Sequence, residues 1–398
     1  MLKTENKMTI FFVIVFLHYA AANFAHPITP TLIVNLQLPS YTFGTAFAAM
    51  ALTGFLFSPF WAKMREFFSA RSLLLTGSLG YGLGQLFFGL ARTEVSVIFA
   101  RAFSGFFVGA IGVSILIYIT EMSGEEKAGV NLAKYAIVQA LGGAVGFLLG
   151  GTIGVYSIAL TFWLQAASLA LCGVLFFLLL ENNEVAERPS IPLRGLAKEM
   201  NPIRSFLDCR SFMTKSFALL FIVIALANIG ITVFDQAFNY YLKAQLDLTS
   251  VYNGFFKAAI GLITLLVNST VCLWIIRHGN IQKALSIILI CCAVTISLLF
   301  GIVSVPLFLV VCFIYYSFHS LIVPLLQDIS AHEANYQNRN LVMGLYNAVR
   351  SLGMIGGALF AGFLYQRQAM LPFALAALCF ALAAAFMVWH QISRRAEG

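Results

Sequence analysis

Charge is what this chain has least of. Asp, Glu, Lys and Arg together make up 10% of its 398 residues, and only 16 residues are acidic. Soluble domains carry about 25%. Cysteine patterning is also missing. The seven cysteines form no CxxC pair with nearby histidines, so neither a metal site nor a disulfide framework is indicated. Six of them (Cys172, Cys272, Cys291, Cys292, Cys312, Cys379) lie in apolar runs, where a thiol behaves as a small apolar group; Cys209 lies in a charged central segment. No G-x-x-x-x-G-K-[ST] loop occurs, and the longest polar stretch is too short for a nucleotide domain, which argues against an ATP-driven pump. No small-residue cleavage site follows the first apolar run, which is too long for a signal h-region; that run is expected to be retained.

What is present is hydrophobic sequence: 60% of residues are apolar. It is arranged in twelve runs, at 8–36, 42–62, 71–91, 95–120, 133–156, 158–180, 212–242, 249–276, 282–303, 305–327, 341–365 and 370–391. A bilayer core of ~30 Å takes about 20 mostly apolar residues per helical span, and each span must satisfy its own backbone. The expected fold is therefore an all-α membrane protein of twelve transmembrane helices in two pseudo-symmetric six-helix bundles, 1–180 and 212–398, joined by a linker at 181–211. Two packed halves with a site between them is a common plan for secondary transporters. The pattern implies movement of a small solute across a lipid bilayer, with no enzymatic chemistry, no cofactor and no metal.

The formal net charge of +8 marks orientation. With the N-terminus in the cytoplasm, eighteen Lys and Arg residues fall inside, among them Lys63, Arg65, Arg71, Lys127 and Arg277. Only Arg92, Lys243 and Arg367 fall outside. This positive-inside asymmetry places both termini and the central loop in the cytoplasm, and it explains the basic balance without nucleic acid. A monomer in the cell inner (cytoplasmic) membrane is expected.

The halves look like repeats. A shift of 210 residues pairs Gly44 with Gly254 and Ala48 with Ala258; a shift of 211 pairs Gly142, Gly146 and Gly151 with Gly353, Gly357 and Gly362. Glycines four apart recur at Gly80 and Gly84, Gly105 and Gly109, Gly142 to Gly150, and Gly353 and Gly357. Small residues at that spacing let helix backbones approach closely, either as static packing or as seams along which the halves rock.

Three motifs carry a family resemblance. Ser58 to Arg71, read as SPFWAKMREFFSAR, matches the loop pattern S-P-F-W-G-K-L-S-D-R-F-G-R-R, with Glu66 for Asp, Ser69 for Gly and Phe67 for Arg. In the fourth span Arg101, Gly105 and Gly109 match R-x-x-x-G-x-x-x-G. In the fifth, Gly142 to Gly151 resembles G-x-x-x-G-P-x-x-G-G, with Phe147 in place of Pro. The whole chain thereby resembles the major facilitator superfamily, and within it the bacterial drug:proton antiporter branch. The resemblance implies a proton-coupled exporter, a conformational role for Glu66, Ser69 and Arg71, and a part in proton coupling for Arg101.

Within the spans, Asp235 is the one deep carboxylate. Ionised groups there cost ~2.5–3.5 kcal/mol on insertion scales and normally face a cavity or a partner. Asn228, Thr232, Asp235 and Asn239 share one helix face, and Asn253, Lys257, Gly261, Thr264 and Asn268 form a matching stripe in the eighth span. Asp235 and Lys257 each lie roughly 10–12 Å from the intervening hairpin. Two readings stay open: a buried ion pair holding the spans in register, or a carboxylate that binds and releases the coupling proton. Arg350, on a face with Asn347, is open to an anionic substrate group. His18, His26 and His319 lie in spans and are either packing residues or proton carriers. Asn23, Pro27 and Pro30 around His26 favour it slightly, because the prolines free helix carbonyls. Two functions are expected to compete: proton-coupled export of small amphipathic molecules or drugs, and proton-linked carriage of an anionic or zwitterionic metabolite. Two Arg, one Lys and three His against a single Asp inside the spans favour the second.

Overall fold

The computed structural model describes residues 4–181, 213–334 and 339–397, and every regular element in them is helical. Apart from Glu181, the 181–211 linker lies outside the described residues. Among the described residues there are thirteen α-helices: α1 (Thr4–Ala22), α2 (Thr29–Asn35), α3 (Thr42–Met64), α4 (Ala70–Leu90), α5 (Glu94–Tyr156), α6 (Ile158–Leu179), α7 (Lys215–Ala244), α8 (Ser250–Val267), α9 (Leu273–His278), α10 (Ile281–Leu298), α11 (Val305–Glu333), α12 (Arg339–Arg367) and α13 (Leu371–Glu397). A π-helical segment, Asn268–Cys272, joins α8 to α9. Starts follow local capping chemistry. Ser69, Thr93, Ser157, Thr214 and Asn280 each accept a bond from a first-turn amide of the helix that follows.

Among the described residues, eleven helical segments are long and apolar enough to cross a membrane. The first expected span, 8–36, departs from that length. Its apolar helix Lys7–Ala22 is shorter, and the backbone turns through residues 23–28 before α2. Pro27 has no N–H to continue the ladder, while Pro30 sits in the first turn of α2, where no donor is needed.

The fourth and fifth expected spans are one helix, α5, with 63 residues. Residues 121–132 contain no proline to block the helical ladder, although Gly124 and Gly129 weaken it. The helix nevertheless bends sharply. Asn131 Nδ2 donates to Ser123 Oγ at 2.8 Å, whereas a straight helix would separate residues eight apart by about 12 Å. The two arms, Glu94–Ser123 and Gly129–Tyr156, are each long and apolar enough to span.

The chain divides into two units. The first comprises the described parts of Met1–Leu38, Ala49–Pro202 and Leu248–Gly261; the second those of Pro39–Ala48, Ile203–Asp247 and Leu262–Gly398. Helices α3 and α8 therefore each contribute to both.

In the first unit α4 packs on α5 and α6, and α1 on the same two. Phe11, Ile115, Tyr118, Leu169 and Phe176 form its core. Backbone approach depends on glycine here. A Cβ at Gly146 would stand 2.2 Å from the Ala20 carbonyl oxygen, and one at Gly105 2.1 Å from that of Met50. The spacing-four glycines thus serve tight packing inside a unit.

In the second unit α7 packs on α12 and α13, and α10 on α11 and α13. Gly353 and Gly357 bring α12 onto α7. The outward faces carry Phe99, Trp163, Leu178, Leu266, Trp274, Ile287 and Phe360, all exposed. An apolar shell of that extent suits hydrocarbon and not water.

Candidate functional site

Each unit holds a cluster of charged and polar side chains that includes residues singled out from the sequence. That of the first is built on the break after α1. Where the helix stops, the Ala22 carbonyl has no ladder donor; it accepts from the Tyr81 hydroxyl at 3.1 Å and from Gln165 Nε2 at 2.9 Å. The Pro27 carbonyl accepts from Asn253 Nδ2 at 3.3 Å. Asn23 caps back onto the Tyr19 carbonyl at 2.8 Å. Freed backbone groups at this depth are tolerated because side chains from α4, α6 and α8 answer them.

His26 lies in the same break, its ring stacked on Phe147 at 5.5 Å. The bulky residue standing where the resembling motif has proline thus faces a titratable ring. Arg101, on the first arm of α5, is 3% exposed. Its guanidinium carbon sits 4.7 Å from the centre of the Phe88 ring, and its Nε has no hydrogen-bond partner among the described residues. Gln85 Nε2 donates to Ser104 Oγ at 3.4 Å, one turn along from Arg101. Arg101 and Lys257 are both near enough to His26 to act on it electrostatically. His18 sits apart, buried in the core with Ser78 Oγ 3.5 Å from its Nδ1 and with the rings of Tyr19 and Phe176 around it.

The cluster of the second unit centres on Asp235, half-buried on α7. The Tyr316 hydroxyl of α11 donates to Asp235 Oδ1 at 2.7 Å. Aromatic rings close around the pair: Phe234 lies 4.0 Å from Tyr315 and 5.3 Å from Phe373, and Phe238 lies 5.7 Å from Tyr316. His319 stands beside both tyrosines, at 5.5 and 5.6 Å.

Asn228 and Thr232, on the polar stripe, are buried in the α7–α12 seam, where a Cβ on Gly353 or Gly357 would touch them. Asn228 Nδ2 bonds back to the Ile224 carbonyl at 2.7 Å. Asn239 is half-buried, as is Arg350, which lies near the Tyr346 ring; Asn347 is exposed. Asp235 belongs to the second unit and Lys257 to the first.

The loop motif after α3 is a set of ionic and capping contacts. Lys63 pairs with Glu66 at 2.7 Å, and Arg65 reaches Glu121 on α5 at 2.8 Å. Ser69 caps α4, and the Arg71 guanidinium lies 5.1 Å from the Phe177 ring centre. The charge link runs through Arg65 although Phe67 replaces the arginine of the pattern.

Tyr81, Gln85, Ser104 and Gln165 are site neighbours that sequence reasoning passed over. An amide side chain within an otherwise apolar span was the available signal. Among the described residues, no group of three His, Cys, Asp or Glu could hold a metal ion.

Comparisons with known proteins agree with this architecture. The family profile described as Major Facilitator Superfamily matches residues 11–358. The chain is similar to "Multidrug resistance protein 2" of Bacillus subtilis, 23% identical with 98% of each chain covered. It is also similar to the class C tetracycline resistance protein of Escherichia coli, 25% identical over 58% of this chain and 57% of that one. Among solved structures it resembles the nucleoside transporter NupG, with a TM-score of 0.80, 13% identity, and 96% of this chain and 99% of the other covered. At that identity the likeness is one of fold.

Proposed function

We propose that this chain, which belongs to the Major Facilitator Superfamily, is a proton-coupled secondary transporter that exports small amphipathic molecules or drugs by alternating access. That it is a multi-pass membrane transporter and not an enzyme follows from the family. Proton coupling, export and the cargo are the proposal. Twelve spans in two six-helix halves, a monomer, and an inner-membrane location with both termini cytoplasmic belong to the same reading.

One observation carries it: a carboxylate well inside α7, held by a tyrosine hydroxyl within an aromatic shell. Such a group is costly to ionise in a dry environment and easy to ionise when hydrated, so a change of access switches its proton. These rings are buried, and a change of access that opens the shell would offer the flat apolar surface an amphipathic solute needs. The resemblance to the multidrug and tetracycline resistance proteins supports the cargo class.

Transport by purified protein in liposomes under an imposed pH gradient tests the reading, with panels of lipophilic cations and organic anions. Gradient-driven movement that Asp235→Asn abolishes supports it. Wild-type rates in that variant remove the proton role.

A second reading, a proton-linked carrier of an anionic or zwitterionic metabolite, is favoured by a different observation. The interior of the first unit holds Arg101, Lys257 and His26, and the second adds Arg350. Uptake confined to the anion panel would select it.

A further inference from the structure

The basic cluster of the first unit poses an electrostatic problem. An arginine keeps its charge in any protein environment and offers five donors in a planar fork. Arg101 is buried, lies over the Phe88 ring, and has an Nε that no described residue accepts from. Two further positive or titratable groups, Lys257 and His26, act on the same region. The described carboxylates of this unit stand at its edges. Glu66, Glu121 and Glu181 pair with Lys63, Arg65 and Lys7, and Glu94 opens α5, seven residues from Arg101. That separation is about 10 Å along the helix.

The neighbouring amides do not solve it. Gln85 Oε1 and Gln165 Oε1 have no hydrogen-bond partner. Even turned toward the guanidinium, they would satisfy two of its donors and neutralise none of its charge. Buried charge without a counter-charge is costly. A negative group arriving with the cargo removes that cost in the bound state, and a neutral or cationic cargo does not.

We infer that Arg101 is the anion-binding residue of this transporter: it receives the carboxylate of an amphipathic organic acid, whose ring system lies against the half-buried Phe147. Asn253, bonded to the Pro27 carbonyl one turn before Lys257, positions α8 at the helix break where His26 stands. The inference rests on the second of the two functional readings, and it requires neither proton coupling nor a direction of transport.

The test is equilibrium binding to the purified full chain in neutral detergent, without a pH gradient. The probes share one ring and differ in charge: naphthylacetate, its neutral amide, and naphthylmethylammonium. The unmutated protein is expected to bind the acid about tenfold more tightly than the amide, as one charge-assisted hydrogen-bonded pair provides. Arg101→Gln should erase that preference while keeping amide binding, and Arg101→Lys should keep part of it.

Equal binding of acid and amide by the unmutated protein, tighter binding of the ammonium probe, or no binding of any probe overturns the inference. Equal weakening of acid and amide in Arg101→Gln does the same. If that variant fails to fold, the three-probe ranking of the unmutated protein and the Arg101→Lys result still decide. A failure here leaves Asp235-driven export standing. Loss of coupling without loss of the acid preference would be the opposite case.

Discussion

Tyr316 donates its hydroxyl to Asp235 Oδ1 at 2.7 Å, joining α11 to α7 across 81 residues of sequence. The bond orients the carboxylate and supplies one of the donors that an anion inside a membrane protein needs. The second lone-pair face of Oδ1, and Oδ2, are left to other partners, so the phenol holds the group without locking it.

Asp235→Asn is expected to abolish gradient-driven transport while leaving the protein folded, because the amide keeps the shape and loses the exchangeable proton. Tyr316→Phe should slow gradient-driven transport several-fold without abolishing it. Initial rates in liposomes with and without a pH gradient check both. Equal rates for Tyr316→Phe and the unmutated protein would reduce the bond to packing.

Arg101→Ala should eliminate active transport, and Arg101→Lys should restore only part of it. A guanidinium presents a planar fork over the Phe88 ring, which a point-charge ammonium does not reproduce. The discriminating measurement is the Lys variant's rate: full activity would make Arg101 a generic positive charge.

Gly105→Ala should destabilise the first unit, since the new methyl would lie 2.1 Å from the Met50 carbonyl oxygen and 2.2 Å from Thr53 Oγ1. Overpacking of this kind costs about 1–3 kcal/mol. Gly112→Ala, in the same helix with nothing within 4 Å, serves as the control. Thermal unfolding in detergent should show a lower midpoint for the first and none for the second. Matching midpoints would mean that α3 shifts to accommodate the methyl.

Arg65 and Glu121 should couple weakly. The pair is 2.8 Å apart but Glu121 is 36% exposed, and partly exposed ion pairs contribute about 0.2–1 kcal/mol. A double-mutant cycle on stability with Arg65→Gln and Glu121→Gln measures the coupling. The charge-swapped double variant, Arg65→Glu with Glu121→Arg, should recover transport that either single swap loses. Failure to recover would assign each residue a separate role.

Some of this protein was legible one residue at a time. Long apolar runs predicted helices because a membrane-spanning backbone has no other way to satisfy itself apart from a closed barrel. Glycines four apart predicted close helix contacts, and Gly146 and Gly353 make them. Pro27 and Pro30 predicted freed carbonyls within the first span, since a missing N–H is a local property.

Other features needed the chain to fold back on itself. The first expected span proved to be two helices, because α1 stops at Ala22 and the freed carbonyl is rescued by Tyr81 and Gln165, the latter 143 residues away. The loop expected between the fourth and fifth spans is a bend within α5, pinned by Asn131 on Ser123. With no proline the ladder can continue, Gly124 and Gly129 loosen it, and packing decides where it turns.

The site divides along the same line. From the sequence alone came the residue types and their helix faces: Asp235 on a polar stripe, Arg101 ahead of two glycines, His26 beside prolines. These follow from composition and a 3.6-residue period, which are properties of neighbours along the chain. Tertiary structure alone decided that Tyr316 meets Asp235, that Arg101 lies on Phe88, and that Asn228 and Thr232 pack against α12. Those outcomes depend on which helix lies beside which, and at what height. Side-chain volumes across the whole unit set that height, and no local periodicity encodes it.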